Sequence, residues 1–170
     1  MKGVGDFYAG MLHPMSGIQW VLPMLALSLL AGQQNRDSAI AVLGVFPVML
    51  VTGAIIGLFI PLPPQVGLID TALMIVLGIL VAWGGRLHVW LSLSLSALLG
   101  LTVGAANGAE VITGVSAYRF IPGLALVGLL LVAYGIGLVR RLKAPWMQIG
   151  VRVVGSWIAA AGILAMSIKR

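Results

Sequence analysis

Residues 39–60 read AIAVLGVFPVMLVTGAIIGLFI and carry no charged side chain. At about 1.5 Å of rise per residue, a helix over this stretch is about 33 Å long, enough to cross a hydrocarbon layer about 30 Å thick. Inside such a layer every backbone N–H and C=O must be paired within the chain, which leaves only helices or a closed barrel. The stretch lacks the two-residue alternation of a barrel strand, so a helix is expected. Reading outward, runs of the same kind occupy 9–31, 66–83, 89–109, 120–139 and 146–168. The expected fold is all-α: one polytopic transmembrane bundle of six spans filling residues 1–170.

Composition agrees with that reading. The chain is 61% hydrophobic and 8% charged, which leaves no stretch for a separate soluble domain. Turn and polar residues punctuate the runs: Gln33, Gln34, Asn35, Arg36 and Asp37, then Pro61, Pro63 and Pro64, then Gly84, Gly85 and Arg86. There is no cysteine, which excludes disulfides, thiolate metal sites and thiol catalysis. A net charge of +6 in a polytopic chain marks cytoplasmic loops and implies no nucleic-acid partner.

The basic residues sort by side. Arg36, Arg86, Arg140, Arg141, Lys143 and Arg152 fall on the first, third and fifth connections and the start of the last run, while Lys2, Arg119, Lys169 and Arg170 share the other end with Asp6, Asp70 and Glu110. The first group is expected to face the cytoplasm, with both termini on the opposite side. His13, Pro14, Gln19 and Pro23 interrupt the first run too often for a cleavable signal, so a retained first helix is expected. Trp20, Trp83, Trp90, Trp146 and Tyr118 fall near span ends as an aromatic belt would. Trp157 lies deeper and is expected to pack the bundle. His88, beside Arg86 and Trp90, reads as an interfacial anchor.

In the fourth run Ser92, Ser96, Gly100, Gly104 and Gly108 recur every four residues, a continuous small-residue stripe along one helix face. Gly53 and Gly57 offer a shorter one in the second. Such stripes admit a neighbouring backbone, either within the chain or in a homo-oligomer.

Polar groups inside these runs are the candidate functional residues. The missing N–H of Pro14 suits a first helical turn, which puts His13 and Pro14 at the outer end of the first helix. On a continuous helix His13, Gly17 and Trp20 share a face, with Gln19 elsewhere. As a neutral imidazole His13 can ligate a divalent metal, or it can serve as a helix-end hydrogen-bonding group. Asn107 and Glu110, three residues apart, close the fourth run on one face. A carboxylate there needs a partner such as a cation, His13, Arg119 or water. With six spans the first and fourth helices both end outside, so His13 and Glu110 are expected to converge in an outward-facing polar vestibule.

These residues carry a resemblance. FYAGMLHPMSGIQWVLPMLALSLLAGQQ in the first run and LLGLTVGAANGAE in the fourth, with six spans, resemble the HupE/UreJ family of bacterial nickel or cobalt permeases and hydrogenase or urease accessory membrane proteins. The resemblance covers nearly the whole chain. The family pattern in helix one is His, five residues, then Asp-His; His13 matches, with Gln19 and Trp20 in the other two places. In helix four the pattern is close to FHGxAHGxE; Gly104, Ala106, Gly108 and Glu110 match, while Val103 and Asn107 stand at the two histidines.

The resemblance implies a multi-pass protein of the bacterial inner membrane, with periplasmic termini on the charge reading above. It implies a divalent-metal permease, for nickel or cobalt, with a thinned site: His13 and Glu110 as ligands, Gln19 and Asn107 as polar lining. No resident cofactor is expected, only a transported ion. A non-transporting accessory or structural subunit, working through a membrane-protein partner, is the other reading. An enzyme is not expected, because Ser116 in GVSAY has no base: His13 and His88 are predicted near opposite faces.

Overall fold

The computed structural model describes residues 2–60, 62, 63, 65–111 and 116–168, with side chains from residue 5 onward. Pro61, Pro64, the 112–115 part of the fourth connection, Lys169, Arg170 and the side chain of Lys2 lie outside the described residues. The helices are α1 (Lys2–Ser16), α2 (Ile18–Gln33), α3 (Arg36–Phe59), α4 (Val66–Trp83), α5 (Val89–Ala109), α6 (Ala117–Arg141) and α7 (Pro145–Ile168), and no strand occurs among the described residues. Helices α3 to α7 are each long and apolar enough to cross a membrane; α1 and α2, taken together as one broken span, make a sixth.

The first run differs from expectation. It is not one helix: α1 begins at Lys2, and α1 and α2 meet at an 82° bend. Gly17, at φ −114° and ψ 114°, is extended, and α2 restarts from its carbonyl, which accepts from Trp20 N–H (3.0 Å) and Val21 N–H (3.3 Å). A Cβ on Gly17 would stand 2.7 Å from the Trp20 ring, so only glycine leaves room for that ring to fold over the break. His13 and Pro14 therefore lie in the last turn of α1, not the first turn of a spanning helix.

Packing on α6 holds the bend. Gly10 lies directly on the Phe120 carbonyl and Gly123 on the Phe7 carbonyl, so α1 runs back along the first turns of α6. Asp6 adds a bond from its carboxylate to the Ser116 N–H, 3.3 Å.

Elsewhere, glycine contacts fix helix directions. Gly100, Gly104 and Gly108 of α5 meet Phe46, Leu50 and Ala54 of α3 in rising order, while Gly53 and Gly57 of α3 meet Leu101 and Ala105, so the two helices run parallel and interlock. The small-residue stripe of α5 thus faces α3 inside the chain. Helices α2 and α6 are also parallel, with Gly135 on Ser28 and Gly32 on Val139; α4 and α7 are antiparallel, with Gly78 on Ala159 and Gly162 on Ile75. Helices an even number of crossings apart run the same way, as a chain that alternates direction requires. Phe46 and Leu50, fully buried, fill the centre against Gly128 of α6.

Polar side chains knit the basic end. Arg152 of α7 donates to the Ala82 (2.8 Å) and Trp83 (3.0 Å) carbonyls at the end of α4, and Arg140 donates to the Asn35 carbonyl, 3.0 Å, beyond α2. The Arg152 bonds satisfy carbonyls that the end of α4 leaves open, whereas the Asn35 carbonyl also accepts the first bond of α3, from Ala39 N–H at 3.2 Å. Gln34, buried, accepts from Leu87 N–H (2.8 Å) and donates to the Leu30 and Gly85 carbonyls (both 3.3 Å), tying two loops together.

Two tryptophans depart from the expected pattern. Trp20 is buried against the break instead of sitting in an interfacial belt, while Trp157 points outward, 76% exposed, instead of packing the bundle. The buried face of α7 is made by Val151, Gly155, Ile158, Ala159 and Gly162, which leaves Trp157 on the lipid side.

A Cβ on Gly104 would collide with the Leu50 carbonyl, whereas one on Gly44 meets nothing within 4 Å. Gly104→Leu is expected to destabilise the folded chain by about 3 kcal/mol or more through overpacking, seen as a lower melting temperature in detergent. Gly44→Ala should melt no earlier than the parent.

Candidate functional site: an imidazole–carboxylate pair at the mouth of a cavity

The break at Gly17 delivers His13 to the end of α5. Its Nε2 stands 3.0 Å from Oε2 of Glu110, a hydrogen bond with the ring N–H donating, between residues 97 positions apart in sequence. Two aromatic rings flank the imidazole: Trp20 at 5.4 Å between centroids and Phe120, edge-on, at 5.6 Å. The Ser16 hydroxyl donates to the His13 carbonyl at 2.6 Å, closing the last turn of α1. Glu110 follows directly on α5. The pair is reachable from outside, with 26% of the His13 side chain and 51% of the Glu110 side chain exposed. Arg119, the other expected partner for Glu110, instead lies over the Tyr118 ring at 5.0 Å.

Glu110 also lines a cavity of about 520 Å³. Its walls come from the start of α2 (Ile18, Gln19, Trp20), the start of α4 (Val66, Gly67, Asp70, Thr71), the end of α5 (Ala106, Ala109) and α7 (Ala161, Ala165). Most of this surface is apolar, with a few polar groups converging on it, the usual make-up of a small-ligand pocket. Gln19 lines it and is exposed.

Asn107 does not line the cavity. It is wholly buried, with Nδ2 donating to the Val103 carbonyl at 2.8 Å and Oδ1 without a hydrogen-bond partner. Gly100, Gly104 and Gly108 serve the contact with α3 that sets where α5 ends. Sequence reasoning placed Asp70 only as a charge at the outer end and missed it as a wall residue. It is buried, 6% exposed, one turn into α4. The signal was present, for Asp70 is the only charged residue in the run 66–83.

Chemically, the arrangement offers one imidazole nitrogen beside a carboxylate that also lines the cavity, with an amide and a second carboxylate elsewhere on the cavity wall. Among the described residues no group of three or more His, Cys, Asp or Glu is gathered as a metal-holding set.

The sequence model of the HupE / UreJ protein family matches residues 1–165. The chain is similar to Protein HupE of Rhizobium leguminosarum bv. viciae, 27% identical over 158 residues that cover 91% of this chain and 81% of that one. No solved structure matches it. With its apolar helices and the family pattern over nearly its full length, the chain belongs to the HupE/UreJ family of membrane proteins.

Proposed function

We propose that this HupE/UreJ protein admits a divalent cation, nickel or cobalt, to a membrane path through the rim formed by His13 and Glu110. The observation that carries the reading is the 3.0 Å approach of the imidazole to the carboxylate at the edge of the cavity. Borderline divalent ions favour imidazole nitrogen together with carboxylate oxygen. An ion entering between the two takes the Nε2 lone pair once the ring proton has moved to Nδ1, and the carboxylate balances its charge. Gln19 supplies a weak amide donor on the same wall. Binding of this strength favours release onward, which conduction needs.

A second reading has its own observation. Where the family pattern described above has imidazoles, Trp20 and Val103 are buried packing residues, 6% and 0% exposed. Hydrocarbon in those places fits an accessory subunit that keeps the bundle and lacks transport. Under either reading the protein belongs in the bacterial inner membrane, with its basic end cytoplasmic and both termini periplasmic.

In cells lacking their own nickel uptake, the wild-type chain is expected to raise accumulation of radioactive nickel above an empty vector, and His13→Ala, Glu110→Ala is expected to lower it at least roughly tenfold at limiting metal. Wild-type uptake at the empty-vector level would remove the permease reading, and recovery of a stable co-purifying membrane subunit would then favour the accessory one. Orientation has a separate check. A C-terminal alkaline phosphatase fusion should be active and a C-terminal fluorescent-protein fusion dark, whereas the opposite pair of results reverses the bundle.

A further inference from the structure

Serine and threonine hydroxyls in the helices of this chain mostly donate to a carbonyl three or four residues back. Ser28 bonds Leu25, Thr52 bonds Val48, Ser94 bonds Trp90 and Ser156 bonds Arg152 in this way. Among the described residues, three buried hydroxyls have no hydrogen-bond partner: Ser38, Ser92 and Ser96. All three are at most 2% exposed. A buried polar group left unpaired in a bilayer is unfavourable, so three in one place need a reason.

They do fall in one place. Ser92 and Ser96 are one turn apart on α5, about 6 Å along its axis. The register that sets Gly100, Gly104 and Gly108 on Phe46, Leu50 and Ala54 carries Ser92 opposite Ser38 of α3. The same α5 face continues through Leu99 and Val103 to Asn107 and Glu110, since steps of three and four residues keep to one stripe. Leu99 and Val103 are completely buried and separate the hydroxyls from the outer cavity, whose α5 wall is Ala106, Ala109 and Glu110.

The geometry points to an inner cation station, built from the Ser38, Ser92 and Ser96 hydroxyls at the basic end of α5 and closed from the outer cavity by a plug of Leu99 and Val103. It rests on the permease reading and extends it: the outer rim captures the ion, and the inner station receives it still carrying water. Neutral hydroxyl oxygens can replace or hydrogen-bond the water of a hydrated divalent ion without holding it tightly. Water carried in with the ion then pairs with these hydroxyls when the basic end opens.

The chain has no native cysteine, so single replacements report cleanly. Ser92→Cys and Ser96→Cys are nearly isosteric, and Leu98→Cys, at a lipid-facing position of the same helix, is the comparison. A charged, membrane-impermeant thiol reagent applied to the basic face is expected to modify the two serine-site cysteines at least roughly tenfold faster than Leu98→Cys, and from the opposite face to leave them untouched. Equal, background rates at all three from both faces would overturn the station. As a second measurement, Ser92→Ala with Ser96→Ala should lower the maximal rate of nickel uptake roughly fivefold or more with unchanged half-saturation and melting temperature, because capture at the rim is untouched. An unchanged maximal rate would also overturn it. The two readings fail separately: background labelling with wild-type uptake intact removes only the inner station, whereas labelled cysteines with no wild-type uptake remove the cation and leave a water-filled chamber.

Discussion

Between helices in lipid there is little hydrophobic drive, so association depends on how closely backbones can approach. In this bundle α5 lies in direct backbone contact with α3, where glycines of each helix lie on carbonyls of the other. A side chain on any of Gly100, Gly104 or Gly108 would push the axes apart. That contact sets the position of α5, and with it Glu110 at one end and Ser92 at the other. Further glycine contacts pass the constraint outward: Gly128 seats α6 on α3, Gly135 seats α6 on α2, and Gly10 with Gly123 seat α1 on α6. His13 thus reaches Glu110 through a relay of backbone contacts, without help from charge steering.

The bend at Gly17 gives the relay its chemical result. A continuous first helix would place the imidazole about two turns from Trp20 along the same axis. The break instead sets the His13 ring between Trp20 and Phe120, with Nε2 facing Glu110. The aromatic walls shelter the ring from water while the half-exposed carboxylate remains open to it.

Much of this was legible along the chain. The apolar runs at 66–83 and 89–109 have the bounds of α4 and α5, because Gly84 with a left-handed φ of 68° and the polar residues around it end one helix before the other begins. The pairing of His13 with Glu110 followed from span parity, since two helices ending on the same side can bring their tips together. The bend did not follow, because Pro14 reads equally well as a helix start, and only the packing of α1 on α6 shows that it ends one. Asp70 was passed over because it lies close to a span end, where a carboxylate needs no special account.

The sequence by itself determined the class of the protein, the apolar runs long enough to cross a membrane and the residues available for chemistry, because hydropathy acts locally against a slab of fixed thickness. Only the tertiary structure decided which of those residues meet. Asn107, three residues from Glu110, is buried away from the cavity, while Gln19 and Asp70, from other helices, line it. That choice depends on rotation about helix axes, which is set by where glycine lets one backbone touch another and is not encoded within any single span.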